Sequence, residues 1–584
     1  MRLILMAAIA AWACAAQADP LKDQGDRYSG AALASRSAVI ATNGMAATSQ
    51  PLATQVALDI LKRGGSAVDA AIAANATLGL MEPTGSGIGG DLFAIVWSPT
   101  TRMLYGLNAS GRAPRGQTLK QLRAANGGAI ALPPHGWLPV TIPGAADGWF
   151  ALHAKFGKLP MSDILAPAIS YADGGFPLSE YIAGQWGKGL AGWERSFATG
   201  GLQEIDNARS VYRPNGKAPA EGAIFRNPDL AATYRALGEG GRDAFYDGPL
   251  TDAMDSYFRR IGAPHRKSDF AAQHAEWVEP ISTNYRGIDV WELPPNSQGL
   301  VALEMLNILE TVDLKAMGRG SADFWHVMLE AKKLAYEDRA RWIADSSKVP
   351  VMGLLSKPYA AKLAKKINMK KAAAVVTPGG PNDWSKDTIY LTVADKDGMM
   401  VSLIQSNYRG MGSGLVPDDG KGRTLGFTFQ DRGQQFSLDP KSPNAFAPGK
   451  RPFHTIIPAF LTRDGKPLMS FGLMGGDMQP QGHVQIVVNL VDFGMGVQAA
   501  GDAARFHHDG STEPDASPPM ADGGTVELET GVSNAIADEL RKRGHSVKYV
   551  TGTFGGYQAI WRDPATDAYW GASEFRKDGQ AGGY

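Results

Sequence analysis

Two hydroxyl side chains draw attention first. From Asp387 the chain reads Thr388-Ile389-Tyr390-Leu391-Thr392-Val393-Ala394-Asp395, then Lys396-Asp397-Gly398, then Met399 to Ser406. Lys396-Asp397-Gly398 has the make-up of a three-residue hairpin loop with its glycine in the left-handed position, which pairs Asp395 with Met399. Counting outwards along both strands brings Thr388 opposite Ser406, so two hydroxyls sit side by side at the hairpin's open end. One is a candidate nucleophile and the other its partner. Threonine is also an ordinary strand residue, so the pairing alone leaves both readings open.

Other patterns carry less chemistry. Gly85-Ser86-Gly87-Ile88-Gly89-Gly90 has the spacing G-x-G-x-x-G, but a helix precedes it and a strand follows. That is the reverse of the order that offers a helix N-terminus to a pyrophosphate; it reads as a tight structural turn. His507-His508 reads as a structural pair, because adjacent residues seldom ligate one ion and no H-E-x-x-H spacing accompanies them. No G-x-S-x-G elbow occurs.

The elements that must hold the hydroxyl pair are legible in outline. Pro51 opens a helix that ends at Gly64-Gly65, and Ser66-Ala67-Val68-Asp69 starts another as a capping box, running to about Gly79. A third long helix spans about Ala322 to Ala344. Strands are expected at Phe93 to Trp97, Ile389 to Ala394, Met399 to Gln405, His545 to Val550 and Gln558 to Trp561. Helices come in blocks around strand pairs without strict β-α-β alternation, which favours a layered α+β arrangement. Residues 365 to 387 pass into Thr377-Pro378-Gly379-Gly380-Pro381-Asn382-Asp383, and residues 509 to 523 form a second breaker-rich connector.

Composition narrows the class. Hydrophobic residues make up 44% of the 584 and charged residues 20%, enough for a large core and too few charges for a solvating chain. Lys+Arg and Asp+Glu both total 58, which removes the broad attraction behind generic nucleic-acid or anionic-membrane binding. Met1-Arg2, the apolar run Leu3 to Ala16 and the step Ala16-Gln17-Ala18 describe a secretory signal cleaved after Ala18, with export to the periplasm or medium. Cys14 is the only cysteine and lies inside that segment, so the mature chain has no disulfide or thiolate chemistry. No later stretch reads as a transmembrane helix.

The chain resembles the gamma-glutamyltranspeptidases, a branch of the N-terminal-nucleophile hydrolases. The pieces run in order from about Ala38 to Tyr584. They include Gly44-Met45-Ala46-Ala47, Gly64 to Ala71, Gly87-Ile88-Gly89-Gly90-Asp91, Pro143 to Trp149 and Glu330 to Arg339. Asp387-Thr388 through Gly398, Lys450-Arg451-Pro452, Met474-Gly475-Gly476, Arg505-Phe506-His507-His508 and Arg576-Lys577-Asp578-Gly579 follow. The resemblance implies a four-layer αββα sandwich, made as a precursor that cuts itself between Asp387 and Thr388. Residues 1–18 are then the signal, 19–387 the large subunit and 388–584 the small one, the two together forming one structural unit.

It also implies the chemistry. The freed α-amine of Thr388, with an unperturbed pKa of about 7.7–8.0, is the base for its own hydroxyl. Ser406 orients that hydroxyl, and the amides of Gly475 and Gly476 form the oxyanion hole. The acyl group passes from Thr388 to water or to an amino acid or peptide, with no metal or organic cofactor required.

The substrate side departs from the family pattern. Gln435 stands where an aspartate is expected and Arg432 where a neutral or acidic residue is usual, which weakens attraction for an ammonium group. His454-Thr455 replaces a Ser-Ser pair, and Tyr408 an asparagine. Against an Arg-Glu-Met-Ala-Pro run this chain has Ser110-Gly111-Arg112-Ala113-Pro114, so Arg112 is the candidate for the α-carboxylate. A short segment between Phe436-Ser437 and Lys450 implies a reduced lid. The leading reading is an amidohydrolase for γ-glutamyl amides such as glutathione; the next is an acylase for glutaryl-type amides lacking an α-amine. An exported solute-binding protein with no catalysis is the reading outside enzymes.

Overall fold

Alternation along the Thr388 hairpin decides the layering. The computed structural model of the chain describes residues 36–375, 388–515 and 520–584, and within it Ala38–Tyr584 forms one unit. The expected signal and the Asp387 side of the expected cut lie outside the described residues. Strands Ile389–Asp395 and Met400–Ser406 pair antiparallel, from Ile389 opposite Gln405 to Ala394 opposite Met400. The loop closes as its residue types require: the Asp395 amide donates to Met399 O at 3.0 Å, and Gly398 has φ +91°.

Side chains then segregate by parity, as the two-residue strand period demands. Leu391, Val393, Val401 and Leu403 join one core with the helices Pro51–Lys62, Ala67–Met81, Ala145–Phe156 and Met161–Gly174. Tyr390, Ala394, Met400 and Ile404 join a different core, shared with Phe460, Ile560 and Tyr569. Those last three belong to a second sheet, so both faces of the hairpin are buried. Even numbers point towards the second sheet. Thr388 and Ser406 are even.

The hairpin is central in a seven-stranded sheet ordered Gln580–Gly583, Gly44–Thr48, Ile389–Asp395, Met400–Ser406, Asp91–Ser98, Met103–Ala109, Glu276–Val278. The second sheet runs Val39–Ala41, Tyr569–Ser573, Tyr557–Arg562, Lys466–Leu473, Ala459–Arg463, Ile288–Glu292, Ile281–Tyr285. Every pairing in both sheets is antiparallel. On the outer face of the second sheet, Met469, Phe471 and Ala559 pack with helices Gly299–Leu309, Ala322–Trp342 and Met478–Val491. Helix, sheet, sheet, helix is the expected four-layer α+β sandwich.

Local signals held as well. Ser66 and Asp69 form the reciprocal capping box at the start of Ala67–Met81, and the buried Ala side chains of that helix let Pro51–Lys62 lie against it. His545 precedes its expected strand, which spans Ser546–Tyr549. Among the described residues, no helix is long and apolar enough to cross a membrane.

Candidate active site

Thr388 Oγ1 and Ser406 Oγ stand 3.1 Å apart, both buried. The register expected from the loop therefore reaches the end of the hairpin. Ser406 Oγ also accepts from the Tyr408 amide at 2.8 Å, which leaves the serine hydrogen free to turn towards Thr388. The Gly85–Gly90 turn braces this end. Asn407 donates its amide to Gly85 O at 3.1 Å, Gly87 donates to Gln405 Oε1 at 3.0 Å, and a Cβ on Gly90 would lie 2.3 Å from Ser406 O. The glycines serve close packing of backbone on backbone.

Gly475 and Gly476 lie in the turn from strand Lys466–Leu473 to helix Met478–Val491. Their φ values, +123° and +62°, suit residues with no Cβ. Among the described residues neither amide donates a hydrogen bond to the protein, and donors left open in a folded chain mark a place for a ligand oxygen. The turn is held from behind. Gln298 Nε2 donates to Gly476 O at 2.9 Å and to Thr455 O at 2.6 Å, Arg339 Nη1 donates to Gln298 Oε1 at 3.1 Å, and Tyr336 donates its hydroxyl to Asp477 O. Tyr336 and Arg339 come from the Glu330–Arg339 stretch, which thus supports the turn from the helix layer.

Arg432 packs between Tyr408 and Thr455. It is fully buried; Nη1 donates to Thr455 Oγ1 at 2.8 Å, while Nε and Nη2 have no partner. Its guanidinium lies 4.6 Å from the centre of the Tyr408 ring, and the Tyr408 hydroxyl accepts from Gln435 Nε2 at 2.6 Å. Burial lowers the Arg432 pKa to about 10, with Asp91, Tyr408 and Asp431 opposing the fall, so it remains a cation at neutral pH. Gln430 Oε1, Gln435 Oε1 and Asp431 Oδ2 are also buried without partners. Burial raises Asp431 to about 7, which makes it a weak anion. Asn444 Nδ2 ties the short segment after Phe436 back to Gln435 O at 2.6 Å.

Two expected substrate contacts have their polar atoms committed elsewhere. Arg112 pairs with Glu276 at 2.6 Å and donates to Gly449 O at 3.1 Å; it is drawn into an ion pair that also takes Arg451. His454 Nε2 faces Asp91 Oδ2 at 3.0 Å, and its Nδ1 accepts from the Ile456 amide at 3.4 Å. That arrangement fixes the neutral tautomer with Nε2–H donating to the carboxylate. Tyr408, Arg432, Gln435 and Thr455 do come together.

Asp91, absent from the sequence-based candidates, joins three segments by accepting from Gly111 N and Gln430 Nε2 at 2.8 Å each and from His454. Burial raises its carboxyl to about 6 against the opposing pull of Arg432, Gln430 and Gly111. Asp91→Asn sets an NH₂ group against the His454 N–H and is expected to cost roughly 1–3 kcal/mol at pH 7. The folded carboxyl holds its proton more tightly than the ordinary value of 3.8, so its protonation favours folding below that value and the benefit fades as pH rises through about 6. Thermal midpoints from pH 4 to 7 check this: the gap between wild type and Asp91→Asn should narrow as pH rises.

One group among the described residues, His326, Glu330 and His545, brings potential metal-ligand atoms within 4.8 Å of one another. Its members already bond within the protein. His326 and His545 share a 2.8 Å contact, while Glu330 accepts from Lys333 and from the Ala373 amide. His507 and His508 point to separate partners, Glu527 and Lys332.

A family model, Gamma-glutamyltranspeptidase, matches residues 53–584. The crystal structure of cephalosporin acylase from Bacillus halodurans superposes with a TM-score of 0.85 at 43% identity, covering 94% of this chain and 97% of that one. The glutathione hydrolase-like YwrD proenzyme of Bacillus subtilis is 36% identical over 79% of this chain and 84% of its own length. The oxamate amidohydrolase proenzyme of Klebsiella pneumoniae is 33% identical over 93% and 99%. Fold and relatives define a proenzyme hydrolase of the N-terminal-nucleophile type, a class whose maturation yields a large and a small subunit. The chain belongs to the gamma-glutamyltranspeptidase family. That removes the reading as a solute-binding protein without catalysis.

Proposed function

We propose that this amidohydrolase removes a carboxylate-bearing acyl group without an α-amine, glutaryl being the type, through an ester on Thr388. The observation that carries the reading is Arg432: a buried cation against Tyr408, whose amide holds Ser406, with Nε and Nη2 accepted by no protein atom. A carboxylate supplies both acceptors in the forked geometry a guanidinium matches.

Maturation makes the catalyst. Thr388 Oγ attacks the Asp387 carbonyl, the acyl group shifts from nitrogen to oxygen, and water releases it, leaving the Asp387 carboxylate and the Thr388 amine. Residues 19–387 and 388–584 become the two subunits, after a signal at 1–18 directs export to the periplasm or medium. In turnover the amine takes the hydroxyl proton, Thr388 Oγ attacks the substrate amide, and Gly475 and Gly476 donate to the oxyanion. The amine then protonates the departing nitrogen. Water or an acceptor amine resolves the ester.

A γ-glutamyl donor is the second reading, favoured by the unpaired Asp431 Oδ2 as a site for an ammonium. Burial works against it, because a carboxyl held near 7 is only partly ionised at neutral pH. Glutaryl-p-nitroanilide and γ-glutamyl-p-nitroanilide, assayed on the processed protein, decide between them. The glutaryl amide should have the higher kcat/KM by at least about tenfold, since burying an unpaired ammonium costs more than one decade. A preference for the γ-glutamyl amide overturns the assignment.

A further inference from the structure

A cleft of about 550 Å³ opens beside the Gly475–Gly476 turn, and Gly475 and Arg409, next to Tyr408, both line it. One wall is helix Glu180–Ala198. Ile182, Trp186, Leu190 and Trp193 of that helix are buried, and its opposite face sends Gln185, Lys188 and Arg195 into the cleft. Lys188 and Arg195 are exposed and, among the described residues, carry no ion pair. Arg409 Nε is buried without a partner. His135, also in the lining, is driven down to about 4, by burial first and then by Arg409 and Arg195, so it is neutral; Asp431 and Asp515 offset part of the Arg409 charge, while Lys188 and Arg195 keep theirs. The lining also includes Lys577, Asp477, Asp509 and Glu527, of which Glu527 pairs with Lys548 and hydrogen-bonds His507.

The acyl pocket around Arg432, Tyr408, Gln435 and Thr455 is buried, so the amine half of a substrate bound at Gly475 has this cleft to occupy. We infer that the leaving amine carries an anionic group, a carboxylate or sulfonate, read by Lys188, Arg195 and Arg409. The inference rests on the acyl-transfer reading above but not on which acyl group is transferred. A cleft of this size suits a small molecule, and Lys188, Arg195 and Arg409 in its lining raise the local concentration of an anion while selecting against a neutral or cationic amine.

The test compares leaving groups at constant acyl group. Anilides of 4-aminobenzoate and of 4-aminobenzamide, similar in shape and differing in charge, are prepared in both the glutaryl and γ-glutamyl series. In whichever series reacts, kcat/KM for the carboxylate leaving group should exceed that for the carboxamide by about tenfold. The ratio should shrink with added salt and fall to one or below in Lys188→Glu/Arg195→Glu. A ratio of one in the wild type, or an unchanged ratio in the variant, overturns the inference. Which series reacts judges the acyl reading separately. If neither does, calorimetry of free 4-aminobenzoate against 4-aminobenzamide on the processed protein decides, with the same ratio expected and equal binding refuting it.

Discussion

Thr388→Ala should leave one uncut chain and no measurable turnover. The variant keeps every backbone bond of the hairpin, because the register rests on main-chain pairing from Ile389 to Ala394 and the lost methyl and hydroxyl sit beyond it. What it lacks is the oxygen that, in the proposed mechanism, attacks Asp387 and later the substrate. Removing a nucleophile from a unit that acts together costs roughly 10⁴–10⁶ in rate. Denaturing electrophoresis and hydrolysis of an anilide substrate read both effects. Because α-amine and hydroxyl share one residue, failure to process also withholds the base, so the two defects should appear together. Normal processing with lost turnover would place the self-cleaving oxygen elsewhere.

Arg432→Met should lower kcat/KM for a glutaryl anilide by two to four orders of magnitude while processing continues. Methionine fills comparable volume but offers no donor, and hydrogen bonds to a charged group are worth about 1.5–3 kcal/mol each; Arg432 has two to give. A valeryl anilide, which lacks the terminal carboxylate, should lose less than tenfold, and that difference separates anion recognition from general damage. Arg432→Lys should recover part of the loss, since it keeps the charge and forfeits the fork. Equal losses on glutaryl and valeryl substrates would assign Arg432 to packing against Tyr408 and Thr455.

How far the sequence revealed this arrangement depended on how local the physics was. The three-residue loop with its glycine sets the register, and strand period carries that register to Thr388 and Ser406 without reference to the remaining chain. The Ser66 capping box is equally local. Layering followed from the block order of helices and strands, although which strands neighbour one another did not, since the hairpin's neighbours come from residues 44–48 and 91–98.

Contacts across long sequence separations stayed hidden. Asp91 meets His454 from 363 positions away, and Gln298 reaches Gly476 across 178; no spacing rule announces either. Arg112 stands two places from the arginine of the family's run, and its guanidinium pairs with Glu276. Asp91 stood inside a quoted motif, Gly87 to Asp91, as Tyr336 and Arg339 did in Glu330 to Arg339. Their contacts became visible only when the fold set Tyr336 and Arg339 behind the Gly475–Gly476 turn and Asp91 among Gly111, Gln430 and His454.

The proposed mechanism requires a free amine on the residue whose hydroxyl attacks. Intact-mass analysis with N-terminal sequencing of the purified, active protein measures this directly. Two polypeptides are expected, the smaller beginning at Thr388. Full activity from a preparation in which Asp387 and Thr388 remain joined would contradict that mechanism.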